Sequence, residues 1–243
     1  MVKEKFSVKF AETEQEIENT LKLRYREMLL EYRPENVKED GIDYVPCDAY
    51  AKLAVCIDND TGEVVGTYRV ITTDFLPQGE SFTTESEFNV DALKNSGQKI
   101  AELSRAVIKT EYRNTVVLKL LLRFVVKYLI ESGVRYVIGT ASFHGIDKSQ
   151  YVNELSYLAA YHSENYKDMF SLDKNQIALL DKSQIQAEQV KRALPPLLRI
   201  YTSFGATVSK DSFTDYEFGS VDVLIVLDTQ DCNFGYMKKL LKL

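Results

Sequence analysis

The stretch from Ile100 to Ala141 constrains this chain more than any other. Ile100 to Ile108 is apolar apart from Glu102, Ser104 and Arg105, and reads as a strand. Thr115 to Ser132 then takes helical spacing and stops before Gly133. Leu118, Leu121, Leu122 and Val125 line one side of that helix, with Lys119, Arg123 and Lys127 opposite. Arg135 to Ala141 returns as a strand. Upstream, Lys52 to Ile57 and Glu63 to Ile71 are two strands joined by the turn Asp58-Asn59-Asp60-Thr61-Gly62. An antiparallel meander followed by strand, helix and strand makes a mixed α/β sheet.

The remaining segments fill in around it. Phe6 to Phe10 alternates like a short strand. Thr13 to Tyr32 has helical spacing, and Thr13 with Glu16 matches a capping box. Glu31 to Asp48 is polar and punctuated by Pro34, Gly41 and Pro46, which predicts a loop. Helices are expected near Ser149 to Ser163 and over Ser183 to Phe204, the latter kinked or restarted at Pro195-Pro196. Gly205 to Val208 and Asp222 to Leu227 close the chain as strands. No repeat or flexible linker interrupts it, so residues 1–243 are expected to form one domain.

Charge and cysteine usage exclude several classes. Thirty Lys and Arg against thirty-six Asp and Glu leave a net charge of −6, which argues against a general nucleic-acid binder. Cys47, Cys56 and Cys232 fit no metal spacing and leave an odd thiol, as in a reducing compartment. The most apolar stretch, Val116 to Ile130, carries Lys119, Arg123 and Lys127 and cannot span a bilayer. The N-terminus lacks a continuous apolar run. A cytoplasmic protein is expected, at most peripheral at the inner membrane face.

Glu102 and Arg105 are the outstanding candidates for chemistry, because charges are seldom buried in a strand without partners. Alternation puts Glu102 with Ser104 on one face and Arg105 on the other, so the two charges meet only if a bulge intervenes. They form either a structural ion pair with other charges or a carboxylate held at a cleft to handle a proton. Next comes the loop Thr110-Glu111-Tyr112-Arg113-Asn114-Thr115, which feeds a helix N-terminus and there offers unpaired N–H groups suited to phosphate. The Lys119, Arg123 and Lys127 stripe is either a solvated face or a dock for an acidic partner. His144 and His162 have no metal-ligand or triad spacing.

In chain order, several short motifs carry a resemblance. They are Leu23-Arg24-Tyr25-Arg26, Val65-Gly66-Thr67-Tyr68-Arg69-Val70, Phe82 to Phe88, Glu102-Leu103-Ser104-Arg105, Thr140-Ala141-Ser142-Phe143, Leu194-Pro195-Pro196-Leu197-Leu198 and Phe218 to Asp222. Together, over roughly residues 15–228, the chain resembles the ornithine–acyl-carrier-protein N-acyltransferases and related N-acyl amino acid synthases, distant relatives of the acyl-homoserine-lactone synthases.

The resemblance implies an α/β GNAT-like acyltransferase fold. Its mixed, twisted sheet has splayed central parallel strands, Ile100–Ile108 and Arg135–Ala141, and flanking helices. It implies transfer of a long-chain fatty acyl group, often 3-hydroxylated, from an acyl carrier protein thioester to the amine of an amino acid. By motif position Glu102 is the base, Arg105 its neighbour, and Ser142 a polar group near the reacting centre. Arg24, Asp48 and Arg69 build the site's ion network, with Ser104 and Phe143 also placed against substrate. Arg113, Asn114, Thr115, Lys119, Arg123 and Lys127 form the donor and carrier dock.

Acetyl-CoA-dependent relatives favour a glycine-rich turn after the arginine at Arg113. Its replacement here by Asn114-Thr115-Val116 favours a carrier-protein donor over acyl-CoA. The family usually has Gly at Ser104 and often Asn at Gly219, so the departures fall where acceptor choice is set. No cofactor beyond the donor's phosphopantetheine and no metal are expected. The competing readings are an acyl-homoserine-lactone-type synthase and a non-catalytic module that binds acyl carrier protein.

Overall fold

The computed structural model describes residues 4–163 and 168–241. The strands are β1 Phe6–Phe10, β2 Lys52–Asp58, β3 Glu63–Thr72, β4 Phe88–Asn89, β5 Ile100–Ile108, β6 Tyr136–His144, β7 Phe170–Ser171, β8 Thr207–Val208, β9 Phe213–Asp215 and β10 Ser220–Asp228. The helices are α1 Glu14–Arg24, α2 Leu30–Tyr32, α3 Asp91–Lys94, α4 Val117–Glu131, α5 Val152–His162, α6 Ala187–Ala193, α7 Pro196–Ser203 and α8 Phe234–Leu241. They fall into two compact units. One comprises Met1–Glu80, Ala101–Gly133 and Lys238–Leu243, the other Ser81–Ile100 and Val134–Met237.

In the first unit β1, β2, β3 and β5 pair in that order, each antiparallel to its neighbour. The turn between β2 and β3 closes through the Gly62 N–H on the Asp58 carbonyl at 2.7 Å, while the Asp58 side chain accepts the Asp60 N–H at 2.9 Å. Gly62 stands at φ +74°, a conformation glycine adopts without cost. The expected capping box forms: Glu16 N–H donates to Thr13 Oγ1 and Thr13 N–H to Glu16 Oε2, both at 3.2 Å. From Tyr25 to Leu29 the helix widens into a π turn before α2 ends it.

Leu23, Val55, Val64 and Val107 form the core that binds helix to sheet. The amphipathic helix α4 packs on the same sheet, burying Val117, Leu121, Leu122 and Val125. Gly66 permits this approach, because a Cβ there would lie 2.8 Å from Val117 Cγ1 and 2.9 Å from Leu121 Cδ1. At the outer edge Phe10 stacks edge-on against Phe124 and Tyr128, with centroids 4.9 and 4.8 Å away.

In the second unit β10 pairs antiparallel with β6 along its whole length and with β8 and β9 over shorter stretches. Buried from Ser220 to Leu227, it is this unit's central element. Lys148, at 6% exposure, locks the surrounding loops. Its ammonium donates to Asp173 Oδ2, the Asn175 carbonyl and the Ser212 carbonyl at 2.7, 2.7 and 2.9 Å, which uses all three protons.

Two expected elements differ in detail. The helix predicted over Ser183 to Phe204 is two helices, α6 and α7. Proline drives the preceding Leu194 into extended backbone, ψ 144°, and Pro196 restarts the helix in its first turn. The Glu31 to Asp48 loop ends in a short 3₁₀ turn, Pro46–Ala49. The strands β4, β7 and β9 and the helices α3 and α8 were not foreseen. The three strands are too short to show a period.

Candidate active site

β5 carries the expected bulge. Thr67 faces Val107 and Arg69 faces Ser104, so β5 uses one more residue than β3 over the same stretch. Arg105 absorbs it at φ +52°, unusual for a residue with a Cβ and typical of bulges beside functional sites.

The bulge lets both charged residues of β5 join one network. Glu102 Oε1 lies 3.8 Å from Arg69 Nη2, and Arg69 Nη1 lies 3.6 Å from Asp48 Oδ1. Asp48 takes a fork of hydrogen bonds from Arg24 Nη1 and Nη2 at 2.8 and 3.0 Å. Arg24 Nε donates to Asp43 Oδ2 at 2.8 Å, and Arg105 Nε donates to the same oxygen at 3.1 Å. Three guanidiniums thus meet three carboxylates.

Burial makes this arrangement exacting. Arg24, Arg69 and Glu102 are each 0% exposed. A charge so placed needs its partners, since an unpaired one is far costlier than the pair. Burial pushes the Asp43 carboxyl up, but Arg105 and Arg24 together outweigh it and hold the group below the usual range. Burial likewise opposes the charge on Arg24, yet Asp48 and Asp43 prevail. Arg69 goes the other way: burial and the nearby Arg105 lower its pKa. Its Nε donates to Ser104 Oγ and its Nη1 to Cys47 Sγ, both at 2.9 Å, and burial raises the Cys47 thiol so that it stays neutral.

Arg24, Asp48, Arg69, Glu102, Ser104 and Arg105, all named from sequence, therefore stand together in the first unit. Asp43 and Cys47 complete the cluster and were missed. Both lie in the polar loop, where no periodicity marks a buried side chain. The donor-loop residues belong to the same unit. Arg113 Nη2 meets Glu31 Oε2 at 2.6 Å and donates to the Glu27 carbonyl at 3.0 Å. Asn114 takes φ +63°, so asparagine supplies the left-handed turn that glycine supplies elsewhere. Thr115 Oγ1 accepts the Val117 N–H at 3.3 Å just ahead of α4. Of the basic stripe, Arg123 and Lys127 are exposed and Lys119 is half-buried.

The other two named residues lie on β6, in the second unit. Phe143 is buried against Tyr151, ring centroids 4.7 Å apart. Ser142 is half-buried directly opposite Asp222 of β10 and hydrogen-bonds to its carboxyl. The Ser220 hydroxyl donates to Asp222 Oδ2 at 2.9 Å. Asp222, 2% exposed, ends the Phe218 to Asp222 motif and opens the expected strand, but was given no role of its own.

Residues 23–123, which hold the ion network, the strand bulge and the start of α4, match the acetyltransferase (GNAT) domain family. The protein is an N-acyltransferase enzyme of GNAT-like fold, acting on an acyl donor and an amine acceptor.

More particularly, the chain is similar to L-ornithine N(alpha)-acyltransferase of Rhizobium meliloti, 29% identical over 235 residues that cover 90% of this chain and 78% of that one. It is similar also to the Rhodobacter capsulatus enzyme of the same name, 25% identical and covering 93% and 90% of the two chains. Among solved structures, FeeM, an N-acyl amino acid synthase from uncultured soil microbes, superposes with a TM-score of 0.50 at 11% identity, over 93% of this chain and 92% of that one. BjaI, a CoA-dependent acyl-homoserine lactone synthase, superposes with a TM-score of 0.51 at 12% identity, over 95% and 83%. These two share the fold. No helix among the described residues is long and apolar enough to cross a membrane.

Proposed function

We propose that residues 1–243 act as one domain that transfers a long-chain fatty acyl group from an acyl carrier protein thioester to the α-amine of a diamino acid such as ornithine. The product is an N-acyl amino acid of the lyso-aminolipid kind. The observation that carries this reading is Glu102, a carboxylate inside an apolar strand, held by Arg69 within a network that repays its burial. The relatives that match most of the chain are named L-ornithine N(alpha)-acyltransferase, which supports ornithine as the acceptor.

The chemistry follows from what an amine needs. An α-amino group is largely protonated at neutral pH, with a pKa of about 7.7–8.0 in peptides. Only its free base attacks a thioester. Glu102 takes the proton, through a water because its own side chain is buried, and the nitrogen lone pair bonds to the thioester carbonyl carbon. The tetrahedral intermediate then collapses, the C–S bond breaks, and the thiolate leaves with a proton as the carrier's thiol. Arg69 and its partners hold Glu102 in place.

The carrier protein is favoured over CoA by the state of Arg113. Its guanidinium is engaged by Glu31 and the Glu27 carbonyl rather than left open to a diphosphate. Incubating the purified protein with ornithine and either a palmitoyl or 3-hydroxypalmitoyl carrier-protein thioester, or the matched CoA thioester, tests the reading. N-acylornithine should appear by mass spectrometry, formed faster from the carrier protein. Absence of any N-acyl amino acid from both donors overturns it.

A further inference from the structure

Arg24 and Arg69 are both buried, yet they direct their hydrogens differently. Arg24 donates to carboxylates, to Asp43 through Nε and to Asp48 through Nη1 and Nη2. Arg69 has Asp48 at 3.6 Å and Glu102 at 3.8 Å. Its Nε and Nη1 nevertheless donate to the Ser104 hydroxyl and the Cys47 thiol, both at 2.9 Å. Two neutral acceptors thus hold a guanidinium that has two carboxylates close by.

The fold places both acceptors deliberately with respect to Arg69. Ser104 pairs directly opposite it across β3 and β5, and Glu102 pairs opposite Ile71. Residues two apart on a strand share a face, so Arg69, Glu102 and Ser104 meet on one side of the sheet, ahead of the bulge. Cys47 comes from the 3₁₀ turn Pro46–Ala49 and is buried. Burial raises its thiol, which stays protonated and uncharged. Neither residue adds a charge to the network. They decide only where the hydrogens of Arg69 point.

That direction matters to a base. A hydrogen bond from a guanidinium to a carboxylate is about twice as strong as a neutral one, and it stabilises the ionised acid. A carboxylate gripped in this way accepts a proton less readily, and a weaker base takes the amine's proton more slowly. With no cation near, the same carboxylate would be an unpaired buried charge. At 3.8 Å the charge of Arg69 compensates Glu102 while the Nε and Nη1 hydrogens lie on other atoms.

We propose that Ser104 and Cys47 are positioning residues for the base, which together keep Arg69 at ion-pair distance from Glu102 and out of a direct hydrogen bond with it. The proposal rests on the N-acyltransferase reading, in which Glu102 takes the amine's proton, and it assigns the residues that set the strength of that base. Ser104 then acts through Arg69, in place of the contact with substrate that its motif position implies.

Ser104→Ala and Cys47→Ala each remove one acceptor, and a buried N–H left without one turns to the nearest alternative. Asp48 already accepts Arg24 on both oxygens and the Val45 N–H on Oδ2, so Glu102 is the acceptor that gains. Neither substitution changes a charge among the groups around Glu102 and Cys47, which are Arg69, Arg105, Asp48 and the uncharged Tyr50 phenol.

In the pH profile of kcat/KM for the amine, the acid limb of each alanine variant should move to lower pH by about one unit and the plateau fall by about tenfold, with both KM values unchanged. Ser104→Thr and Cys47→Ser return an acceptor and should restore limb and plateau. Each variant is checked for a cooperative thermal transition, and either alanine variant alone decides. NMR titration with ¹³C-carboxyl-labelled glutamate, the Glu102 resonance assigned by its loss in Glu102→Gln, follows the same ionisation without turnover. A titration midpoint lowered in the alanine variants and restored in the conservative ones supports the positioning role even if no acyl transfer is found, in which case the functional reading alone fails. A limb and midpoint that stay in place or rise overturn it, and a raised amine KM beside them returns Ser104 to the acceptor site. A limb displaced equally in the conservative variants overturns it as well.

Discussion

Arg69 Nη2 stands 3.8 Å from Glu102 Oε1, with neither side chain exposed. The separation is that of an ion pair, longer than a direct hydrogen bond. Arg69 is meanwhile anchored by Ser104 and Cys47, and approaches Asp48 at 3.6 Å. It therefore positions Glu102 without consuming it.

Replacing Glu102 by Gln should keep the fold and lower turnover by about 10²-fold or more, the range for losing a general base. Glutamine has the same shape, and Arg69 retains Ser104, Cys47 and Asp48. Initial rates with saturating donor and acceptor, alongside a thermal melt, check this. Wild-type turnover in a folded variant removes Glu102 from the mechanism.

Asp43 is a structural prediction rather than a catalytic one. It is the shared acceptor for Arg24 and Arg105, so Asp43→Asn leaves two guanidiniums short of one charge. Breaking a buried pair of this kind costs about 3–5 kcal/mol, and Asp48 keeps the loss toward the lower end. Asp43's carboxyl is held below its ordinary value in the folded state. Its stabilisation is therefore complete above the unfolded pKa of about 3.9 and is lost as pH falls through the folded value. Urea unfolding at pH 7 and at about pH 2 should show the variant weaker at pH 7 and less sensitive to acid. Equal midpoints at both pH values would contradict the assignment.

The proposed carrier-docking face is open to a charge-reversal experiment. Arg123 and Lys127 are exposed, with Lys127 only 3.8 Å from Glu131 on its own helix. Reversing both to Glu should raise KM for a carrier-bound donor and flatten its salt dependence, leaving KM for the amine unchanged. Stability should shift by about 0.5 kcal/mol or less, because surface substitutions seldom do more. An unaltered donor KM and salt slope would move the dock elsewhere, with Lys191, Arg192 and Arg199 the next candidates.

Much of this molecule is legible in its sequence where periodicity or caps speak. The strand from Ile100 to Ile108, the crossover helix and the Thr13 capping box appear as expected. The bulge was legible only as a condition: alternation keeps Glu102 and Arg105 apart, and φ +52° at Arg105 resolves the conflict. Asp43 and Cys47 were hidden because a loop residue shows no pattern when it is buried. Asp222 was hidden for the opposite reason. Its strand is apolar enough that one acid reads as an interruption, and its partner Glu87 comes from a segment far away in the chain.

Asp222 also predicts how stability depends on pH. The carboxyl sits at about 6 in the folded protein, raised by burial and by Asp215, against about 3.9 in an unfolded chain. The titratable groups around it are Glu87, Asp215 and, at the end of β6 opposite Ser220, His144. A raised carboxyl favours the protonated folded state. Its contribution is therefore most favourable below the unfolded pKa and is lost as pH rises through about 6. The cost above that pH is on the order of 2–3 kcal/mol. Asparagine is the neutral isostere, and its amide can donate to Glu87 while its oxygen accepts from Ser220. Asp222→Asn should thus be more stable than wild type at pH 7.5 and nearly equal to it at pH 4.5, with a flatter profile between. Chemical denaturation across that range measures the difference. A variant less stable than wild type at pH 7.5 would mean that the charged form of Asp222 is stabilised in the folded protein, and the account of its carboxyl as raised by burial would fail.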